Sequence, residues 1–441
     1  MSRLRLIALT ACGAALFALT LIGLYLQARD ALDGFVAVAL VQCIVYAAAV
    51  WLVWDRRSSR RSVYGIALIA VVIRVPVVLS PPYLSVDIYR YVWDGRVEAA
   101  GFNPYRYAPN DPRLETLRDT AVFPQIGSKD APTIYPPVAE AIFLGITRLG
   151  EQPTAIKLAM VLGETVAFIL LVGMLAVEGL PTTRVLVYAW HPLALWEFAG
   201  SGHLDGVLIP LILAALWATR RGRQGLSGLF LAAATLTKLY PAVMLPALYR
   251  RWGWKMPAAF AATILVAYLP FLGAGAKVLG FLPGYATQEG FDAGGAGFYL
   301  VNLVHHALPS IAIDARAYRS VALAVLAALG VACVVMRDPA RPPFAIAALL
   351  ATVFMIIVSP HYPWYFAWLI VFACFVRSFA LLWLTTACLL LYLVRGYVFL
   401  QDDQRFAIET AIYAPFAALA VADLWYHRRR ALRSSEACRP A

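Results

Sequence analysis

Apolar runs long enough to cross a bilayer recur from one end of this 441-residue chain to the other, and that recurrence decides what it can fold into. A helix needs roughly 17–25 apolar residues to cross the hydrocarbon core, and soluble domains do not repeat such a signal along their whole length. Hydrophobic residues make up 62% of the sequence and charged ones only 14%, too little polar surface for a water-soluble fold of this size. The chain reads as an all-α polytopic membrane protein. Its runs are Leu6–Leu26, Phe35–Trp54, Val63–Leu79, Ala155–Val177, Val185–Ala199, Leu204–Thr219, Leu226–Thr237 and Ala242–Tyr249, then Pro257–Leu272, Ala317–Met336, Phe344–Val358, Pro363–Val376, Phe379–Val394 and Ile408–Trp425. With the two short runs around Lys238 taken as a hairpin of half-length helices, this gives about 12–14 transmembrane helices.

The formal charge of +12 raises the question of nucleic acid, and its placement argues against that partner. Basic residues cluster in short gaps between apolar runs: Arg56, Arg57, Arg60 and Arg61, then Arg220, Arg221 and Arg223, then Arg250, Arg251 and Lys255, with Arg428, Arg429 and Arg430 near the end. That is the pattern by which cytoplasmic loops retain cations. It places both termini in the cytoplasm, provided that Tyr135–Leu149 does not cross. That stretch is short, opens with Pro136-Pro137 and carries Glu140, as expected of a helix lying against the bundle from outside. The opening Leu6–Leu26 run is too long for a cleaved signal core and reads as a retained anchor. Five of the six cysteines lie inside apolar runs and Cys438 in the basic tail, so no disulfide is expected.

Asp87 stands where the Val63–Leu79 run ends and a Tyr-, Pro- and Arg-rich segment begins, in SVDIYRYVWDGRVEAAGFNPYRYAP. Acids at a membrane edge are costly and usually functional, although Asp also favours the first turn of a helix. Val86, Tyr89, Trp93, Val97 and Ala100 recur at helical spacing as an apolar face, with Asp87, Arg90 and Asp94 on another, as in an interfacial helix. Asn103-Pro104-Tyr105 and Ile134-Tyr135-Pro136 read as rigid turns that bring Tyr105 and Tyr135 near the same surface.

Farther along, GSGHLDG places His203 and Asp205 at the start of a helix, level with Asp87. Two such side chains are weak evidence for a metal, and an acceptor-hydroxyl or helix-capping role fits them better. In LTKLYP, Lys238 and Tyr240 occupy the turn between half-length runs, where broken backbone is tolerated if it lines a polar cavity. Lys238 there is a candidate phosphate clamp, against the alternative of snorkelling to headgroups. Arg74, before Pro76 in its span, and Arg395, at a helix end, are further cations on that side. In SPHYPWYFAW, Tyr362, Trp364 and Tyr365 are rings able to stack on a sugar. Membrane-belt anchoring accounts for those rings equally well but not for His361.

Taken in order, DIYRY–WDGR–GFNPY, the Pro-Pro helix, GHLDG, LTKLYP and HYPWY resemble the polyprenyl-phosphate-sugar-dependent glycosyltransferases of the GT-C superfamily, most nearly its bacterial mannosyltransferase-like branch. The resemblance covers most of Arg74 to Trp368. The two spans before Val63 depart from the simplest plan of that family, and no second acid adjoins Asp87, which leaves use of a divalent cation open. The resemblance implies a GT-C-like helical bundle with amphipathic outer-loop helices in a bacterial inner membrane, its active site facing the periplasm. It implies a lipid-linked sugar donor, mannose foremost, and a glycan or lipid acceptor. Asp87 would be the general base. Lys238, Arg74, His361 and Arg395 would meet the donor phosphate. Arg90, Tyr91, Asp94, Tyr105, Tyr135, His203, Asp205, Tyr240, Tyr362, Trp364 and Tyr365 would contact substrate.

The expected organisation is two N-terminal helices (residues 1–62), a catalytic core (63–273) with a first outer loop (81–153), a second outer loop (274–316), and C-terminal helices with a basic tail (317–441). A lipid-linked sugar transporter or flippase would also carry broken helices and buried charges. The chain has no repeated halves, however, and its charges gather at one face. A non-catalytic envelope-glycan assembly subunit is the third possibility, and it would have no need of Asp87.

Overall fold

The computed structural model describes residues 3–55, 59–288, 297–338, 341–394 and 403–436. Arg56, Arg57, most of the glycine-rich stretch from Gly290, Arg395 and Cys438 lie outside the described residues. Among the described residues the secondary structure is helical, with no strand. Helices α1 (Arg3–Gln27), α2 (Leu32–Val53) and α3 (Arg60–Leu79) lead to two short helices, α4 (Asp87–Ala99) and α5 (Pro137–Thr147), and then to α6 (Pro153–Val177). The middle of the chain forms α7 (Leu186–Ala189), α8 (Pro192–Ala194), α9 (Asp205–Arg220), α10 (Gln224–Thr235), α11 (Leu245–Leu248) and α12 (Lys255–Tyr268). Then come α13 (Leu282–Gln288), α14 (Tyr299–Ala307), α15 (Ala315–Met336), α16 (Phe344–Val358), α17 (Ile370–Ala373), α18 (Phe379–Ala387) and α19 (Asp403–Glu436).

Seven of these are long and apolar enough to cross a membrane: α1, α2, α3, α6, α12 with its extension to Lys277, α15 and α19. An eighth span exists if Pro192–Gly200 and α9, bent by 119° at their junction, are taken together. This is a polytopic membrane protein. The expected count of about 12–14 also included shorter runs; α16 keeps one of these as an unbroken 15-residue helix, and others fold as broken pieces. Pro192 cannot donate a backbone hydrogen bond, so the 185–199 run divides at His191, whose Nδ1 accepts from Leu193 N–H at 3.2 Å. Pro241 and Pro246 likewise leave the 242–249 run as a 3₁₀ turn (Tyr240–Met244) followed by α11.

Broken backbone survives at membrane depth only inside protein. Accordingly Val185–Val187, Leu193, Phe198 and Ile370–Phe372 are wholly buried, whereas Trp51, Leu68, Leu162, Leu265 and Leu323 on the long helices are exposed. The fold therefore has an inner layer of short segments and an outer shell of long helices with apolar faces. Side-chain donors tie the layers together: Tyr46 Oη donates to Val187 O (2.8 Å) and Trp196 Nε1 to Gln42 Oε1 (2.8 Å). The first two helices thus belong to the same bundle as the rest.

At 11 residues, or roughly 16 Å, α5 is too short to span. It packs against α4 so closely that a Cβ on Gly95 would sit 2.5 Å from Phe143 O. That contact turns α4 from the expected face. Ile88, Tyr91, Val92 and Gly95 are buried along with Trp93 and Val97, while Val86 is exposed.

Candidate active site

A cavity of ≈ 860 Å³ lies where α3 gives way to α4, where α10 turns, and where α16 ends. Its walls bring together Asp87, Arg90, Tyr91, Tyr135, Lys238, Tyr240, His361, Tyr362, Trp364 and Tyr365, residues from four separate stretches of sequence. On another side Leu239, Val243, Leu326, Phe354 and Val358 make the wall apolar.

Asp87 is the first residue of α4, where helix N-termini favour negative charge, and its N–H donates to Ser85 Oγ (3.2 Å). One turn on, the Tyr91 ring stacks on Phe143 at 4.6 Å and meets Tyr135 edge-on at 5.2 Å. Burial pushes the Tyr91 hydroxyl well above the usual phenol range, and the charges of Asp87 and Asp205 add to that shift. Tyr135 is raised by burial and then by Tyr91 and Asp87. Both phenols are therefore neutral donors beside the Asp87 carboxylate.

Lys238 is present in the cavity but not unopposed. Its Nζ lies 2.5 Å from Asp205 Oδ2, and Tyr240 Oη donates to Asp205 Oδ1. The same ammonium sits 5.3 Å above the Tyr365 ring. Asp205 is fully buried and opens α9, just past Gly202, whose φ of +72° only glycine adopts readily. It does not line the cavity and contacts Lys238 and Tyr240 from behind the wall. His361 lines the same cavity, with Nε2 2.9 Å from Gly297 O.

Other expected site residues are not brought to the cavity. Arg74 is buried in a two-pronged ion pair with Glu164 (2.6 and 3.0 Å) and donates to Ala189 O (2.8 Å), so it serves the bundle and does not reach the cavity wall. Both Asp94 carboxylate oxygens accept from Arg90 Nε (2.8 and 2.9 Å) behind α4. Tyr105 Oη donates to the main-chain Tyr135 O (2.7 Å), bracing that residue's backbone from outside the cavity. His203 is buried, stacked at 4.2 Å on the far face of Trp364. Trp364 is in turn covered on its other side by Tyr362 at 4.4 Å, so it presents an edge and not a face. Arg395 lies outside the described residues.

Behind Arg90, α4 and α5 enclose a group of acids. Burial raises Asp94 against the pull of Arg90, and burial together with the charge of Asp94 raises Glu140 well above the carboxylate range. Glu98 is pushed up to about 7 by burial and then by Asp94. Among the described residues no three His, Cys, Asp or Glu side chains converge as metal ligands would.

Sequence reasoning missed Tyr285, which reaches the cavity from α13 and shares a 2.7 Å hydroxyl contact with Tyr365. The only signal for it was an aromatic in the second outer segment. It also passed over Glu197, an acid inside an apolar run, whose Oε1 accepts from Tyr392 Oη at 2.6 Å.

No curated protein and no solved structure matches the chain. A family model does match, over residues 5–254, more than half of the chain and including Asp87, Asp205, Lys238 and Tyr240. On that match, the chain belongs to the MptA_B family, described as alpha-(1->6)-mannopyranosyltransferase, N-terminal domain, and is a membrane glycosyltransferase of a mannosyltransferase family.

Proposed function

We propose that the cavity transfers mannose from a polyprenyl-phosphate donor to a hydroxyl of an envelope glycan or lipid, at the periplasmic face of a bacterial inner membrane. The observation that carries this reading is the composition of one cavity: a carboxylate, a lysine, a histidine and several aromatic rings share it with an apolar wall. A lipid-linked sugar needs that combination, apolar surface for the chain, cations for the phosphate and rings for the sugar.

In this mechanism Asp87 removes the proton from the acceptor hydroxyl as its oxygen attacks the anomeric carbon. The bond from that carbon to the phosphate oxygen breaks, and the electron pair leaves with the polyprenyl phosphate. A single displacement inverts the configuration, through a transition state of oxocarbenium character as in glycoside hydrolysis. The leaving group is already an anion, so Lys238 and His361 need only stabilise charge that develops on it. Asp205 keeps Lys238 at the wall, and Tyr91 and Tyr135 flank the base as neutral donors.

The test is turnover by purified protein of a small panel of polyprenyl-phosphate sugars with glycan and lipid acceptors. Transfer from the mannose donor with inverted product is expected. Release of free sugar only, or lipid movement across proteoliposomes with no acceptor consumed, would replace the transferase reading by hydrolysis or transport.

A further inference from the structure

We infer that His203 is a positioning residue, which sets the cavity wall that meets the donor's sugar by acting through Trp364 on Tyr362. This rests on the transferase reading above and names a residue that no substrate atom need touch.

Three rings form a ladder from inside the bundle to the cavity. His203 is fully buried and stacks on Trp364 with centroids 4.2 Å apart and planes 21° apart. Trp364 stacks on Tyr362 at 4.4 Å and 8°. Trp364 and Tyr362 line the cavity, and His203 does not. Polar groups also surround the imidazole in its own plane, although its Nε2 makes no hydrogen bond. Its Nε2 lies 3.4 Å from Glu197 Oε2, its Nδ1 lies 3.5 Å from Tyr91 Oη, and its backbone N–H donates to Glu197 O (2.8 Å). Glu197 is tied down in turn by Tyr392.

Packing alone does not call for this arrangement. A buried acid and imidazole are costly, and an apolar pair of similar volume would often stabilise the fold as well or better. The pair also sits at an irregularity. Glu197 belongs to a π-helical turn (Leu195–Gly200), and His203 follows Gly202 in the break before α9. Such turns are frequent at functional sites. What the arrangement supplies is a rigid base for Tyr362. A ring held in place before the ligand arrives loses less side-chain freedom on binding, which appears as tighter binding and not as faster chemistry.

A double-mutant cycle between His203 and Tyr362 tests this, with donor KM and kcat read separately for polyprenyl-phosphate mannose. His203→Ala should raise donor KM about three- to tenfold, the loss expected for one stacked ring pair, and leave kcat within about threefold. On a Tyr362→Ala background the same change should have little further effect on KM, because the ladder it supports no longer ends in a ring. If His203→Ala does not fold, His203→Asn enters the same cycle, keeping polarity while removing the ring. Equal KM effects on both backgrounds, or an unchanged KM with reduced thermal stability, would reduce His203 to a structural role. A kcat loss of about a hundredfold or more would instead make it a catalytic group and overturn the proposal. Absence of turnover by wild-type protein would count against the transferase reading, and is seen before any variant is made.

Discussion

Asp87 and Lys238 line one cavity, but the bundle treats them differently. Asp87 stands at a helix start beside neutral phenols, as a base must. Asp87→Asn keeps the shape and the Ser85 contact, so the protein should fold and insert normally while transfer falls about 10²–10⁴-fold. Near-wild-type turnover by well-folded variant would remove Asp87 from the mechanism. Lys238 needs a subtler test because it neutralises Asp205, which is fully buried. Lys238→Ala strands that carboxylate, and breaking a buried pair from one side costs roughly 3–5 kcal/mol. Adding Asp205→Asn should therefore restore much of the lost thermal stability. It should not restore donor KM, because the phosphate's cation is still missing. If KM recovers together with melting temperature, Lys238 is only an internal partner of Asp205 and the phosphate lies elsewhere.

At the scale of elements, the pairing of α4 with α5 sets where Asp87 sits, and the acids between them give it a pH dependence. The Glu98 carboxyl titrates near 4.5 in an unfolded chain and near 7 in the fold, so the folded chain holds that proton more tightly. The stabilisation is fully present below about pH 4.5 and is lost as pH rises through about 7. Asp94 and Glu140 are shifted in the same direction. Melting curves taken across that range should show stability falling with rising pH. In Glu98→Gln, which cannot ionise, the slope should flatten, and an unchanged slope would assign it to the other two acids. The helix itself was legible, since Asp87 marks its start and aromatics recur along it. Its buried face was not. Periodicity identified Val86 and Tyr89 as part of the apolar face, but Gly95, which periodicity does not mark, is what allows α5 to approach from the other side. The partners of the cations were hidden for a related reason. The carboxylate that meets an arginine or lysine in an apolar run can come from a distant segment. Glu164 and Asp205, 90 and 33 residues away from Arg74 and Lys238, are partners that spacing alone cannot reveal.

On the scale of the whole molecule, length and hydropathy recovered the lipid-facing shell, because lipid exposure writes long apolar runs. The inner layer is harder to divide into crossings, because a segment buried in protein can be broken by Pro192 or Pro241 and remain apolar. The same layering concerns orientation. Asp87, Lys238 and His361 share one cavity, so they share one side of the membrane. The cation clusters at Arg60–Arg61 and Arg220–Arg223 occupy the opposite ends of helices that lead to or from that cavity, α3 and α9. Cytoplasmic retention of those clusters would put the cavity outside. Single cysteines, placed in a background with Cys438 replaced, can test it. Ser128, exposed in a loop beside the cavity, and Ser59, exposed at the start of α3, are suited to this, whereas Ser201 is fully buried and would not label from either side. An impermeant maleimide added to intact cells should modify Ser128→Cys and leave Ser59→Cys untouched until the membrane is opened. The reverse pattern would turn the protein over. It would also place the base and the lysine in the cytoplasm, where a periplasmic transferase cannot use them.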